Sequence, residues 1–73
     1  MGDMAKEILL NIYNCYNEGE NYTIKTPPSS QIHNFNMAIK EIDSYIEFIE
    51  RGMMKISMTL SDEGIEYCLE NFI

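Results

Sequence analysis

The chain has 73 residues, 45 % of them apolar, with twelve acids against five bases for a formal charge of −7. That length allows one small domain with a limited core, and that apolar content argues against disorder. No apolar run approaches the roughly 20 residues of a membrane helix, and no secretory leader precedes the amphipathic pattern that starts behind Met1-Gly2-Asp3-Met4, so a cytoplasmic location and no membrane partner are expected.

Taken in order, Asp3 is positioned to cap a first helix running to about Glu18, with Gly19 as its stop. Ile8, Leu9, Ile12, Tyr13 and Tyr16 recur on one helical face with Cys15 on its flank, while Lys6, Asn11, Asn14 and Asn17 lie opposite. Tyr22 and Ile24 alternate with Thr23 and Lys25, enough for one short strand, which Thr26-Pro27-Pro28 ends. Ser29 or Ser30 then caps a second helix with a stripe of Ile32, Phe35, Ala38, Ile39 and Ile42, stopping near Asp43 or Ser44. Gln31, His33, Asn34, Asn36 and Lys40 fall on its exposed side.

Past Tyr45 the period changes from helical to two. Ile46 and Phe48 flank Glu47, Arg51-Gly52 supplies a turn, and Met54, Ile56, Met58 and Leu60 alternate with Lys55, Ser57 and Thr59. This predicts a hairpin with one dry and one wet face. Ser61 is a good cap for a last helix, with Asp62 and Glu63 at its positive end and an apolar spacing of Ile65, Cys68, Leu69 and Phe72. Cys15 and Cys68, both among apolar residues, are expected to be reduced core thiols.

The order helix, short strand, helix, hairpin (wing), helix resembles the winged helix-turn-helix superfamily, an α+β fold. Leu60-Ser61-Asp62-Glu63-Gly64-Ile65-Glu66-Tyr67 is similar to the segment that follows the wing in MarR-type and PadR-type regulators. Ser44-Tyr45-Ile46 stands where those families often have Gly-Tyr-Ile. In length and in its compressed front half the chain also resembles small phage-associated YjcQ-like proteins. The resemblance implies a winged-helix regulatory role, with phage or mobile-element origin as one expectation. Two departures accompany it. The stretch between Gly19 and Ser29 is too short for a strand plus a full helix, so the helix-turn-helix is abbreviated or replaced by the Pro-Pro turn. The candidate recognition helix carries a single base, Lys40, against Glu41 and Asp43.

Catalysis has little to stand on: His33 is the sole histidine, no phosphate-binding glycine loop occurs, and the carboxylates are dispersed, so no enzyme activity, metal or cofactor is expected. Two non-enzymatic readings follow from the charge. In the first, acidic faces dock on a protein partner such as a basic nucleic-acid-binding protein, which the chain would inhibit or modulate. Glu41, Asp43, Glu47, Glu50, Asp62, Glu63, Glu66 and Glu70 supply the charge, and Met53 and Met54 supply adaptable apolar contacts. In the second, the chain is a DNA-binding regulator: Gln31, Asn34, Asn36 and Lys40 face the groove, while Arg51 and Lys55 touch phosphate, with Lys25 nearby. The two are separated by charge geometry, since DNA requires a coherent basic face and a basic partner an acidic one. A chain this small also gains from self-association, and Ile8, Ile12 and Cys15 with Leu69, Phe72 and Ile73 are the expected homodimer contact.

Overall fold

A computed structural model describes residues 1–72, so Ile73 of the expected dimer contact lies outside the described residues. The elements run α1 (Asp3–Asn17), β1 (Tyr22–Lys25), α2 (Ile32–Glu41), a 3-10 turn (Asp43–Tyr45), β2 (Ile46–Arg51), β3 (Lys55–Leu60) and α3 (Asp62–Asn71). The strands form one antiparallel sheet in the order β1-β3-β2, so the last strand lies in the middle and the first reaches it across the chain. The class is therefore α+β. α1 lies against β3 and β1 and touches both other helices.

The core is the space between the helices and one face of the sheet. Ala5, Ile8, Leu9 and Ile12 of α1 meet Phe35, Ala38 and Ile39 of α2, with Ile42 and Ile46 beyond it and Ile56, Met58, Leu60 and Cys68 completing the interior. Cross-strand partners share a face, so Tyr22 opposite Met58 and Ile24 opposite Ile56 extend this dry side. The other side of the sheet carries Thr23, Lys25, Glu47, Lys55, Ser57 and Thr59. Ser57 is buried there between two neighbouring strands and its hydroxyl shares a 2.8 Å hydrogen bond with that of Thr23.

Several local expectations are corrected. Asp3 is the first residue of α1 and not its cap; Gly2 holds that position without a side-chain bond, leaving Asp3 in the first turn near the positive end of the helix. Neither Ser29 nor Ser30 caps α2. The chain turns over the Pro28 carbonyl, which accepts from the amides of Gln31 (2.8 Å) and Ile32 (2.9 Å), so the orphan donors are satisfied by backbone. Gln31 accordingly precedes the helix instead of lying on it. Only this Pro-Pro turn separates β1 from α2. Tyr16 is exposed at the end of α1, and Cys15 is only half-buried while Cys68 is fully buried. Gly19 does end α1: at φ 75 it adopts the left-handed conformation that glycine enters without Cβ strain, and Glu20 N–H reaches back to the Cys15 carbonyl.

The hairpin departs furthest from simple alternation. Its turn is Gly52-Met53-Met54, closed by a 2.9 Å bond from Gly52 N–H to the Lys55 carbonyl, so Met54 is outside the strand and outside the dry face. β2 is bulged: Phe48 pairs with Met58 and Glu50 with Ser57, leaving Ile49 without a partner. Unbulged, the register would set Glu50 opposite the buried Ile56. The extra residue moves Glu50 to the wet face and brings Arg51 onto the helix side instead.

Candidate functional site

Three surfaces gather the residues singled out above. The first is α3. Its N-terminus is fixed by Ser61, whose Oγ accepts from Gly64 N–H (3.1 Å) and donates to the Ser44 carbonyl (2.7 Å), while Ser61 N–H donates to the Tyr45 carbonyl (3.0 Å). Gly64 is buried against Tyr45, and a Cβ there would collide with the Tyr45 carbonyl. The Tyr45 and Tyr67 rings stack at 4.5 Å, and Phe72 packs edge-on to Tyr67 at 6.0 Å and beside Tyr13 at 6.1 Å. The helix is thereby pinned on one side, and its other side exposes Asp62, Glu63, Glu66 and Glu70 with no base anywhere in its sequence.

The second surface is the hairpin tip. Met53 and Met54 are 94 % and 84 % exposed and the bulged Ile49 is 57 % exposed, so none of them packs on the core. The backbone beneath them is nevertheless tied: Thr26 N–H donates to the Met54 carbonyl (3.2 Å) and Thr26 Oγ1 to the Gly52 carbonyl (2.8 Å). Lys25 sits directly opposite Lys55 at this end of the sheet, and Lys55 Nζ is 3.9 Å from Glu50 Oε1. Both partners of that pair are half-exposed, so it adds little to stability. Glu47 stands on the same wet face, opposite Thr59.

The third is a groove between α2 and β2. Arg51 Nη2 donates to Asn36 Oδ1 at 2.9 Å, and its guanidinium carbon lies 4.6 Å from the Phe48 ring centroid. His33, Lys40 and Asp43 share the walls of this cleft of about 360 Å³. The fold thus brings Asn36, Lys40 and Arg51 of the DNA-reading set together. Asn34, one helical turn-pair before Glu41, shares its flank of α2, where the Glu41 carboxylate instead accepts from Gly2 N–H at 3.0 Å. Lys55 and Arg51 take opposite faces of the sheet.

The acidic set is divided as well: Asp43 in the groove, Glu41 against the start of α1, Glu47 and Glu50 on the open sheet face, and the remaining four on α3, all exposed. Of the expected dimer contact, Ile8 and Ile12 belong to the chain's own core, Cys15 is half-buried and Phe72 packs internally, which leaves Leu69 as the exposed member among the described residues. Sequence reasoning missed Ile49 and the Arg51–Asn36–Phe48 cluster. The available signal was Phe48-Ile49, two adjacent apolar residues where strict alternation allows one.

Burial raises the thiol pKa of Cys68, and burial followed by Glu18 and Glu20 raises that of Cys15, so both favour the protonated, unreactive form. Among the described residues, no three His, Cys, Asp or Glu side chains are grouped to hold a metal ion, and no helix is long and apolar enough to cross a membrane. Comparison with known families, with curated proteins and with solved structures finds no match to this chain.

Proposed function

We propose that this chain is a small non-enzymatic regulatory module of winged-helix type that docks on a basic protein partner, such as one that handles nucleic acid, and modulates it. The observation that carries this reading is α3: a helix held rigidly at its N-terminus, exposing four carboxylates and containing no base. Such a surface accelerates encounter with a basic patch, and its rigidity lowers the ordering cost of docking. The exposed Met53 and Met54 give the same module adaptable apolar contacts at its far end. The element order supports the winged-helix part of the reading, with the hairpin as wing and the Pro-Pro turn standing in for part of the helix-turn-helix.

DNA binding is the second reading, favoured by one arrangement: Lys25 opposite Lys55, with Arg51 and Lys40 in the adjoining groove, puts four of five bases toward the hairpin half. These bases are split between the two faces of the sheet and interrupted by Glu50 and Asp43. A well-bound duplex usually makes roughly 6–10 phosphate contacts, so the protein-binding reading ranks first. Homodimerisation, proposed on grounds of size, would use Leu69 with the exposed Leu10 and Met4 of α1.

The test is a duplex titration from low to moderate salt beside capture of partners by wild type and by Glu66→Lys/Glu70→Lys. Loss of a specific basic partner in the α3 variant, without duplex binding at low salt, is expected. Submicromolar duplex binding that weakens steeply with salt would overturn the protein-docking reading in favour of DNA.

A further inference from the structure

We infer that the groove between α2 and β2 is a binding site for a phosphate group, and this rests neither on the α3 surface nor on duplex recognition. Arg51 is oriented before any ligand arrives. Its guanidinium carbon sits over the Phe48 ring, 4.6 Å from the centroid, and one Nη2 proton goes to Asn36 Oδ1. Four of its five N–H donors are left for an anion, in the planar fork that matches phosphate oxygens. By accepting through Oδ1, Asn36 also leaves its amide nitrogen free to donate. Lys40 and His33 line the same cleft, and Met37 offers an apolar wall.

Among the described residues, neither Lys40 nor Arg51 has a carboxylate within ion-pair distance; the ion pair nearby is Lys55–Glu50, on the other face of the sheet. Two unpaired cations and a pre-set amide therefore converge on a cleft of about 360 Å³. That size lies at the lower end of small-ligand sites, suited to one phosphate and an attached group. The bulge at Ile49 is what creates the arrangement, because in the unbulged register Arg51 would face away from α2. Among the described residues, Asp43 on these walls and Glu41 in the adjoining hollow, which shares His33, Met37 and Lys40 with the cleft, oppose an anion there and set the site to weak, reversible binding.

The phosphate can come from a free nucleotide or from a nucleic-acid strand. The experiment is a ¹⁵N NMR titration at neutral pH and constant ionic strength with inorganic phosphate, adenosine monophosphate and a short duplex, with chloride as control. Expected are shifts concentrated at Asn36, Lys40 and the Arg51 side chain, and at least about fivefold weaker binding in Arg51→Gln and in Lys40→Gln. Asp43→Asn is expected to tighten inorganic phosphate about twofold or more, and Lys6→Gln, on α1, to leave it unchanged. Arg51-dependent binding of the nucleotide identifies the free ligand as source; Arg51-dependent binding of the duplex alone identifies the strand. Equal loss in Lys6→Gln, or unchanged binding in Lys40→Gln with its spectrum otherwise intact, would overturn the site.

Discussion

The junction of α3 with the 3-10 turn and the tip of the hairpin are both held by backbone hydrogen bonds, yet they do opposite things with their side chains. At the junction, Ser61, Gly64, Tyr45 and Tyr67 close on one another so tightly that no Cβ fits at position 64. At the tip, Thr26 fastens the turn backbone while Met53, Met54 and Ile49 are left in solvent. The difference separates side chains that hold the fold from side chains that the fold leaves uncovered. On the proposed docking reading, a helix presented to a partner gains from a base that cannot shift, whereas exposed apolar side chains contribute nothing to folding until they are covered.

The sharpest way to break the comparison is to substitute both regions with small changes. Gly64→Ala should destabilise by about 3 kcal/mol, since the added methyl meets main chain that cannot move without parting α3 from Tyr45; a denaturant midpoint equal to wild type would show that the junction is looser than described. Ser61→Ala, which removes both the cap and the bond to Ser44, should lose about 1–2 kcal/mol by the same measurement. Thr26→Val should cost about 1 kcal/mol and raise amide exchange selectively at Gly52 to Lys55, which tests whether the tip backbone is anchored from β1. Replacing Met53 and Met54 by Ser should change stability by no more than about 0.5 kcal/mol while weakening capture of the proposed basic partner; a drop in melting temperature would mean that the tip packs after all.

A pH dependence sharpens the same contrast at the buried end of α3. The Cys68 thiol has a folded pKa raised above its ordinary 9.0, with burial as the cause. Its contribution to stability is therefore full below pH 9.0 and is lost as pH rises from there through the folded value. Cys68→Ala should reduce that alkaline loss relative to wild type in parallel urea titrations at increasing pH, although its own cavity lowers stability throughout.

Much of this architecture is legible in the sequence. The stripe Phe35, Ala38, Ile39, Ile42 and the alternation Ile56, Met58, Leu60 each announce one buried face, because period 3.6 and period 2 follow from backbone geometry alone. Gly19 and Ser61 are readable for the same local reason, one by its backbone freedom and the other by its hydroxyl within reach of the first turn. The start of α2 is not legible in the sequence, because a backbone turn over Pro28 competes with a serine cap and composition does not say which forms. The candidate surfaces were legible only as residue types: exposure of the acids was foreseeable, but not that Asp43 would face a groove and Glu47 the open sheet.

What the sequence by itself determined is the order of the elements, most of the residues they bury and the excess of negative charge. Tertiary structure alone decided how the charge is distributed. A single unpaired residue, Ile49, turns Arg51 toward Asn36 and Glu50 away from Ile56. Pairing of β1 with β3, distant in the chain, brings Lys25 to Lys55. The physical reason is that local periodicity fixes which side of an element is apolar, while register, set by long-range pairing, fixes which polar groups become neighbours.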